Sequence, residues 1–254
     1  MGEIVLRPIG RVVSQYRRRK GVPRLGGPAA VELFPEFEPG LHRLEKHSHL
    51  WVLAWLDQAE RNILQVIPRG IPERSDAHLH GVFAVRSPVR PNPIGLTLGR
   101  ILRVAGPRIE FDRLDFLDGT PVIDLKPYFL SRDAVYAARN QQIGRPADRQ
   151  ALRESLRMQA VNFHGEDGPE LELAVDIYTD FRAEVLDYVE PGDLRVTVPL
   201  GRPVLIDAFI GMTRCTPGRG TLQFGASAEV AFGYEGGAAL YRLLPAHGFR
   251  RLEP

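Results

Sequence analysis

Apolar residues up to about position 130 occur in short runs that glycine, proline and polar residues interrupt. Runs of this length favour strands over long helices. The predicted strands are 6–13, 50–56, 81–86, 94–104 and 108–114. Ala105-Gly106-Pro107 is expected to close a hairpin between the last two, because glycine tolerates turn geometry and proline stops the strand ladder. Many short strands joined by polar turns predict an all-β barrel.

The pattern changes after residue 130. Polar residues dominate 131–149, which predicts an interdomain connection, and Asp148 then fits a helix N-cap before Leu152 and Leu156, one turn apart on one face. Apolar residues at helical spacing predict a second helix over 169–188. Further strands are predicted at 194–198, 204–209, 221–224 and 228–232. We therefore predict two domains, a barrel over 1–138 and an α+β domain over 139–254.

Composition narrows the possible classes of protein. The net charge of +2 over 254 residues is too small for a protein that binds nucleic acid by bulk charge, so DNA is not expected as a partner. The single cysteine, Cys215, excludes an internal disulfide and is typical of a reducing compartment. No run approaches the roughly 20 apolar residues of a membrane span, and the first residues do not resemble a signal peptide. We expect a cytoplasmic protein with no membrane partner.

Two stretches are too stiff and too polar for ordinary core segments. They are Arg86-Ser-Pro-Val-Arg90-Pro-Asn92-Pro-Ile-Gly95-Leu96 and Asp118-Gly-Thr-Pro-Val-Ile-Asp124-Leu-Lys126-Pro-Tyr128. The prolines exclude a helix or a central strand in the first stretch, which must be a shaped loop. The arginines are permanently charged, and the asparagine can both donate and accept. These residue types alone predict a site for an anionic or zwitterionic small molecule.

Together these stretches resemble the signature of the TsaA-like, or TrmO-like, S-adenosylmethionine-binding β-barrel family. Upstream pieces agree in order, namely Pro8-Ile9-Gly10, Gly21-Val22-Pro23-Arg24, Val31-Glu32-Leu33, Ser48-His49-Leu50-Trp51 and Gly81-Val82-Phe83-Ala84. The resemblance implies that S-adenosylmethionine contacts Pro23, Arg24, Leu25, Asp57, Gln58, Arg86, Leu96, Asp124, Leu125, Lys126 and Pro127. Leu25 replaces the usual glutamine, and Asp57-Gln58 stand where His-Lys is common. Backbone contacts would survive both departures.

The best-known members of this family methylate threonylcarbamoyl-adenosine next to the anticodon of certain tRNAs and act as homodimers. The resemblance therefore implies a methyltransferase acting on N6 of this nucleoside, with tRNA and a second copy of the chain as partners. Methyl transfer is an in-line displacement, in which the protein mainly aligns the reactants and removes a proton. Arg90, Asn92 and Tyr128 lie on the two motif loops and are the candidates for positioning the acceptor. His49 and Trp51 are expected to pack in the core and barrel rather than to act as ligands.

The second half resembles the FmdE family through Phe163-His164-Gly-Glu166-Asp-Gly168-Pro and the later Thr213-Arg-Cys215-Thr-Pro-Gly. The histidines and cysteines of that family bind a metal, commonly zinc. Here Glu166 replaces the second histidine and Gly168 replaces the first cysteine. Only His164 and Cys215 remain, and two soft ligands are too few for a structural zinc site. We therefore expect no metal, and a weaker site completed by Glu166 or Asp207 is the alternative.

Other interpretations stay open. The chain could bind S-adenosylmethionine only as a sensor, or it could methylate a small molecule held by the FmdE-like domain. The basic run Arg17-Arg18-Arg19-Lys20 is typical of a solvated loop, and it could also contact phosphates.

Overall fold

The computed structural model describes residues 4–252, which form two compact units. The first unit contains the residues up to Pro68 together with Glu73–Ala137. The second contains Arg69–Pro72 and the residues from Ala138 onward. Each unit buries its own apolar core, as a domain does.

Strands dominate the first unit, and helices alternate with strands in the second. The described elements of the first unit are β1 (Gly10–Ser14), β2 (Gly27–Leu33), β3 (His49–Trp55), β4 (Gln65–Val66), β5 (His80–Gly81), β6 (Ile94–Ala105), β7 (Arg108–Leu114), β8 (Pro121–Pro127) and α1 (Leu130–Asp133). Those of the second are α2 (Arg149–His164), α3 (Pro169–Asp180), β9 (Arg195–Pro199), α4 (Pro203–Thr213), β10 (Leu222–Gly225), β11 (Glu229–Tyr234), β12 (Gly237–Leu244) and β13 (Gly248–Leu252). Short 3-10 turns occur between several of them. Within residues 4–252, no helix has both the length and the apolar character needed to cross a membrane.

The first unit is a closed barrel in the strand order β1-β2-β7-β6-β3-β8, and all of its neighbouring strands are antiparallel. Successive side chains of a strand point to opposite faces. One set therefore fills the barrel, and it consists of Val12, Val31, Leu33, Leu50, Val52, Ala54, Ile109, Phe111, Leu114, Phe116 and Val122. The predicted all-β barrel is confirmed.

Two of the strand predictions in this unit show what local pattern can and cannot specify. The hairpin between β6 and β7 is confirmed, with Ala105 paired to Arg108 and Gly106 at φ +56°. The strand predicted over 81–86 is wrong, because only His80–Gly81 is extended and the following residues form turns. The carbonyls of Val82 and Val85 accept hydrogen bonds from a nearby arginine side chain instead of a neighbouring strand.

The second unit is the predicted α+β fold. Its sheet has the order β10-β9-β11-β12-β13, and α2, α3 and α4 contribute to the same core. Helix α2 begins as expected, since Asp148 Oδ1 accepts from the Ala151 N–H at 2.8 Å. Helix α3 starts at Pro169 as predicted but ends at Asp180, where one π-helical turn follows.

The strand predicted over 204–209 is wrong, because these residues belong to α4. Pro203 occupies the first helical position, which suits proline because its missing N–H has no partner there anyway. The buried side chains Leu205, Ala208, Phe209 and Met212 recur at helical spacing against the core. A short apolar run fits a buried strand and a buried helix equally well, and packing decides between them here.

Candidate cofactor site

The outward face of β3 forms the floor of the candidate site. Leu50, Val52 and Ala54 point into the barrel, so Trp51 and His49 point outward, and both are half-buried. The expectation that these two side chains pack in the core is therefore wrong. They contact the ring of Tyr128 instead, with ring centroids 6.0 and 6.3 Å from it.

Strand register brings the two sequence motifs together on this face. Leu53 of β3 pairs with Leu96 of β6 on one side and with Asp124 of β8 on the other. Directly paired residues of antiparallel strands share a face, with Cβ atoms about 5 Å apart. The proline-rich motif and the Asp-x-Lys-Pro motif thus present an apolar side chain and a carboxylate on either side of one leucine.

A β-bulge lies next to Asp124. Leu53 pairs with Asp124 but Ala54 pairs with Val122, so Ile123 is the extra residue. The Asp124 carboxylate accepts from Lys126 Nζ at 2.7 Å and from the Leu125 N–H at 2.9 Å. The side chains of Lys126 and Asp124 are 63% and 42% exposed, so the carboxylate has accessible acceptor capacity. Bulges of this kind commonly re-aim a side chain beside a binding site.

The glycine of the proline-rich motif is explained by the barrel core. A Cβ at Gly95 would lie 2.5 Å from Cε1 of the Phe116 ring and 3.1 Å from Leu56. Phe116 is only 3% exposed, so its ring has little room to move. Any side chain at position 95 would push β6 away from the core beside Leu96.

A turn at the end of β3 contains two of the predicted cofactor contacts, Asp57 and Gln58, which are both exposed. The Leu56 N–H donates to the Pro93 carbonyl at 2.8 Å, which joins this turn to the proline-rich loop. Arg19 Nη2 donates to the Gln58 carbonyl at 2.7 Å, which joins the turn to the loop between β1 and β2.

The loop between β1 and β2 contains the remaining predicted contacts of this end of the barrel, Pro23, Arg24 and Leu25. The Gly26 N–H donates to the Pro23 carbonyl at 3.0 Å and closes a turn around them. These three residues therefore lie in the loop that Arg19 ties to the Asp57-Gln58 turn.

Arg90 holds the loop that precedes it. Its Nε donates to the Ser87 carbonyl at 2.8 Å, and its Nη2 donates to the carbonyls of Val82 and Val85 at 3.0 and 2.7 Å. The side chain is half-buried. All of these contacts lie within one loop, so Arg90 fixes the backbone from which Arg86 projects.

Among the exposed residues of this loop, Arg86 and Phe83 have the largest side chains. Arg86 is exposed and forms no ion pair with any residue between positions 4 and 252. Phe83 is 80% exposed, which is unusual for a large apolar ring on a fixed loop. Phe83 falls in the segment that the sequence predicts as a strand, so the sequence alone does not single it out as a site residue. The signal that could have found it is an aromatic residue three positions before the motif arginine.

The predicted acceptor residues Asn92 and Tyr128 do not meet within one chain. Asn92 is exposed just before β6, whose first residue pairs with Trp55 at the end of β3. The Tyr128 N–H donates to the His49 carbonyl at the start of β3. The six residue-to-residue steps of extended strand from His49 to Trp55 separate these ends by about 20 Å. Burial lowers the pKa of His49 beside Tyr128, and the Asp112 carboxylate opposes that effect.

The donor set on this surface fits the parts of S-adenosylmethionine. A carboxylate such as Asp124 suits a ribose diol, because an ionised carboxylate only accepts hydrogen bonds. The half-exposed Leu53 and Leu96 offer apolar surface to an adenine ring. The unpaired guanidinium of Arg86 matches the carboxylate of the amino-acid end.

Comparison with known proteins identifies relatives of the first half of the chain. The sequence profile of the tRNA-methyltransferase O N-terminal domain matches residues 11–134. A probable S-adenosyl-L-methionine-binding protein of Methanothermobacter thermautotrophicus is 43% identical over 143 residues, which cover 52% of this chain and 96% of that protein. The chain belongs to the family of this S-adenosyl-L-methionine-binding protein. The family prediction for the first half is thereby confirmed.

Two further relatives extend the comparison. A probable S-adenosyl-L-methionine-binding protein of Archaeoglobus fulgidus is 40% identical over 178 residues, 68% of this chain. That match reaches beyond the barrel, and the chain spans 46% of that relative's length. A tRNA (adenine(37)-N6)-methyltransferase of Mus musculus is 33% identical over 142 residues, 52% of this chain and 32% of that protein. The names of the archaeal relatives state S-adenosyl-L-methionine binding, which is the predicted cofactor.

The second unit holds the residues that the FmdE resemblance singled out. His164 ends α2, and its Nδ1 lies 3.0 Å from Asp207 Oδ2 on α4. The Cys215 thiol is buried and donates to the Leu194 carbonyl at 3.3 Å, and burial raises its pKa. Glu166 is exposed. Across residues 4–252, no three histidine, cysteine or acidic side chains are grouped so that they could hold a metal ion. The FmdE-like identity of this unit stays a prediction.

Proposed function

We propose that this chain is an S-adenosylmethionine-dependent methyltransferase whose acceptor is N6 of threonylcarbamoyl-adenosine next to the anticodon of tRNA. The observation that carries the proposal is the register that sets Leu96 and Asp124 on either side of Leu53. Membership of the family and the name of the mouse relative support the acceptor.

The chain's own residues bind and align. Asp124 accepts hydrogen bonds from the ribose diol, Leu53 and Leu96 contact the adenine, and Arg86 pairs with the carboxylate of the amino-acid end. Backbone groups of the 23–25 and 57–58 turns complete the rim. The bound cofactor supplies an activated methyl group on a sulfonium. Arg90 contributes by holding the loop of Arg86, while Asn92 contacts the acceptor directly.

A homodimer is part of the proposal. The β3 residues beside Tyr128 and Asn92, which are His49 and Trp55, are about 20 Å apart, and we therefore assign Tyr128 and Asn92 of one acceptor site to different copies of the chain. Mixing an Asn92→Ala chain with a Tyr128→Phe chain should then restore part of the activity that each variant lacks alone. A failure of the mixture to exceed either variant would remove Tyr128 from the acceptor site.

The decisive experiment follows the methyl group. The purified protein is incubated with methyl-labelled S-adenosylmethionine and total tRNA from cells that lack their own enzyme, and the nucleosides are separated by mass. We expect label in N6-methylated threonylcarbamoyl-adenosine. Asp124→Asn should reduce the transfer, and Glu38→Gln, an exposed carboxylate elsewhere on the barrel, should not. No transfer under conditions in which a bacterial homologue is active would refute the acceptor.

A second function is favoured by the names of the archaeal relatives, which state binding only. Cofactor binding with no transfer to any fraction of a cell extract would assign the chain as a binding or sensing protein. Label in small molecules, and none in tRNA, would instead favour a metabolite held by the second unit.

A further inference from the structure

The loop that joins β1 to β2 is the most cationic segment of the barrel. Residues 15–27 contain no acidic side chain and five cationic ones, Arg17, Arg18, Arg19, Lys20 and Arg24. The overall net charge of the chain is only +2, so this concentration is local. A cluster of one sign raises the local concentration of a polyanion.

Within the part of the chain that the structure describes, these cations have no carboxylate partners. None of the five forms an ion pair with a residue between positions 4 and 252. Elsewhere on the barrel, Arg11 pairs with Glu32 at 2.8 Å and Arg108 pairs with Glu110 at 3.4 Å. The charge of the loop is therefore not neutralised by the fold and is available to an external anion.

Hydrogen bonds fix this loop, which distinguishes it from a freely solvated one. Arg19–Gly21 form a 3-10 turn, and the Gly21 N–H donates to the Arg18 carbonyl at 2.9 Å. Arg19 Nη2 donates a hydrogen bond to the Gln58 carbonyl. This contact places the loop beside a turn of the candidate cofactor site. A surface depression of about 470 Å³ lies along it, lined by Gln15, Tyr16, Arg17, Arg18 and Gly21.

We propose that Arg17, Arg18 and Lys20 bind the phosphodiester backbone of the RNA acceptor and so deliver its nucleoside to the cofactor site. The inference rests on the proposed function. Three neighbouring exposed cations match a run of phosphates, whereas a small anionic acceptor would need only one or two of them. Arg19 has a different part, since its contact with Gln58 positions the loop.

The test measures the binding of a tRNA anticodon stem-loop as a function of salt. Each phosphate contact contributes about 0.7 to the slope of log K against log salt for single strands. Arg17→Gln/Arg18→Gln/Lys20→Gln should therefore lower the slope by about 2 and weaken binding in 0.1 M salt roughly tenfold to a hundredfold. Its affinity for S-adenosylmethionine, measured by calorimetry, should be unchanged. Arg17→Lys/Arg18→Lys keeps the charge and should retain the wild-type slope.

The matched control is Arg195→Gln/Arg219→Gln/Arg250→Gln, which removes three exposed cations from the second unit and should leave the slope unchanged. Equal slopes for the two triple variants, with the wild type still methylating tRNA, would overturn the loop assignment and leave the proposed function intact. A wild-type protein that neither binds nor methylates RNA would overturn both. Loss of RNA binding in both triple variants alike would show that the contact depends on net charge rather than on the loop, and this would also overturn the assignment.

Discussion

Replacing Arg90 with alanine separates a loop-holding arginine from one that contacts the acceptor. The substitution removes three hydrogen bonds from a charged donor to backbone carbonyls, and a hydrogen bond with a charged partner contributes roughly 1.5–3 kcal/mol. Val85 and Ser87 are half-buried and their carbonyls regain water in the variant, whereas Val82 is fully buried. We therefore expect a loss of about 2–4 kcal/mol, concentrated in the loop between Val82 and Ser87.

Trypsin measures this local stability directly, because Arg86 lies at the centre of the loop. When opening and closing are fast, cleavage follows the population of the open form, and 2 kcal/mol raises that population about 30-fold. Cleavage after Arg86 in Arg90→Ala should accelerate by at least this factor, as read by intact mass. Arg90→Lys keeps three rotatable donors, so its cleavage rate after Arg86 should fall between those of the wild type and Arg90→Ala. Arg103→Ala, an exposed arginine of β6, is the control and should cleave after Arg86 at the wild-type rate.

The opposite result is equally informative. Arg90→Ala could instead lower methyl transfer while leaving both the cleavage rate after Arg86 and the thermal transition unchanged. Arg90 would then act on the acceptor, and its assignment as the residue that holds the loop would be wrong. If cleavage accelerates and the affinity for S-adenosylmethionine falls together with it, the loop positions Arg86 for the cofactor.

Three further predictions concern the barrel. Asp124→Asn should weaken S-adenosylmethionine binding about tenfold by calorimetry with little change in thermal stability, because exposed pairs such as that with Lys126 contribute less than about 1 kcal/mol; unchanged affinity would remove Asp124 from the site. Gly95→Ala should destabilise the barrel by about 1–3 kcal/mol in denaturant unfolding, because its Cβ meets the Phe116 ring; a neutral effect would show that β6 can shift. The lowered pKa of His49 means that the fold favours the neutral ring, so its contribution is present above pH 6.5 and is lost as pH falls below that value. Melting temperatures of the wild type and His49→Gln should therefore diverge across this window, and parallel curves would refute the assignment.

The sequence was informative where one face of a strand is buried. The strand predicted over 108–114 coincides with β7, in which Ile109 and Phe111 alternate into the core and Leu114 is buried at the end. The run at 204–209 misled, since a helix and a strand can bury the same apolar residues and the choice depends on the packing of α4 against the sheet. The segment 81–86 misled for another reason. Its carbonyls accept hydrogen bonds from the side chain of Arg90, up to eight residues later. Local strand propensity contains no information about such a contact.

The same distinction holds for the site. Asp124 and Leu96 could be identified from the motifs, but their proximity depends on strand order, because β3 lies between β6 and β8. Leu53 and Arg19 stand out only once that order is known. Tyr128 shows a further limit of the sequence, since it belongs to one motif and yet lies at the opposite end of β3 from Asn92 of the other motif.

A six-stranded barrel has no room for a ligand inside it. Side chains such as Val52 and Phe111 fill the interior, so the motif residues can build a site only on the outer wall and on the loops at one end. Such a site is open, and the leucines and carboxylate on its floor cannot enclose a small acceptor or exclude water by themselves. Under the proposed function, a second copy of the chain and the RNA acceptor would contribute walls to this site. The open geometry and the unpaired cations beside it therefore favour RNA over a metabolite as the methyl acceptor.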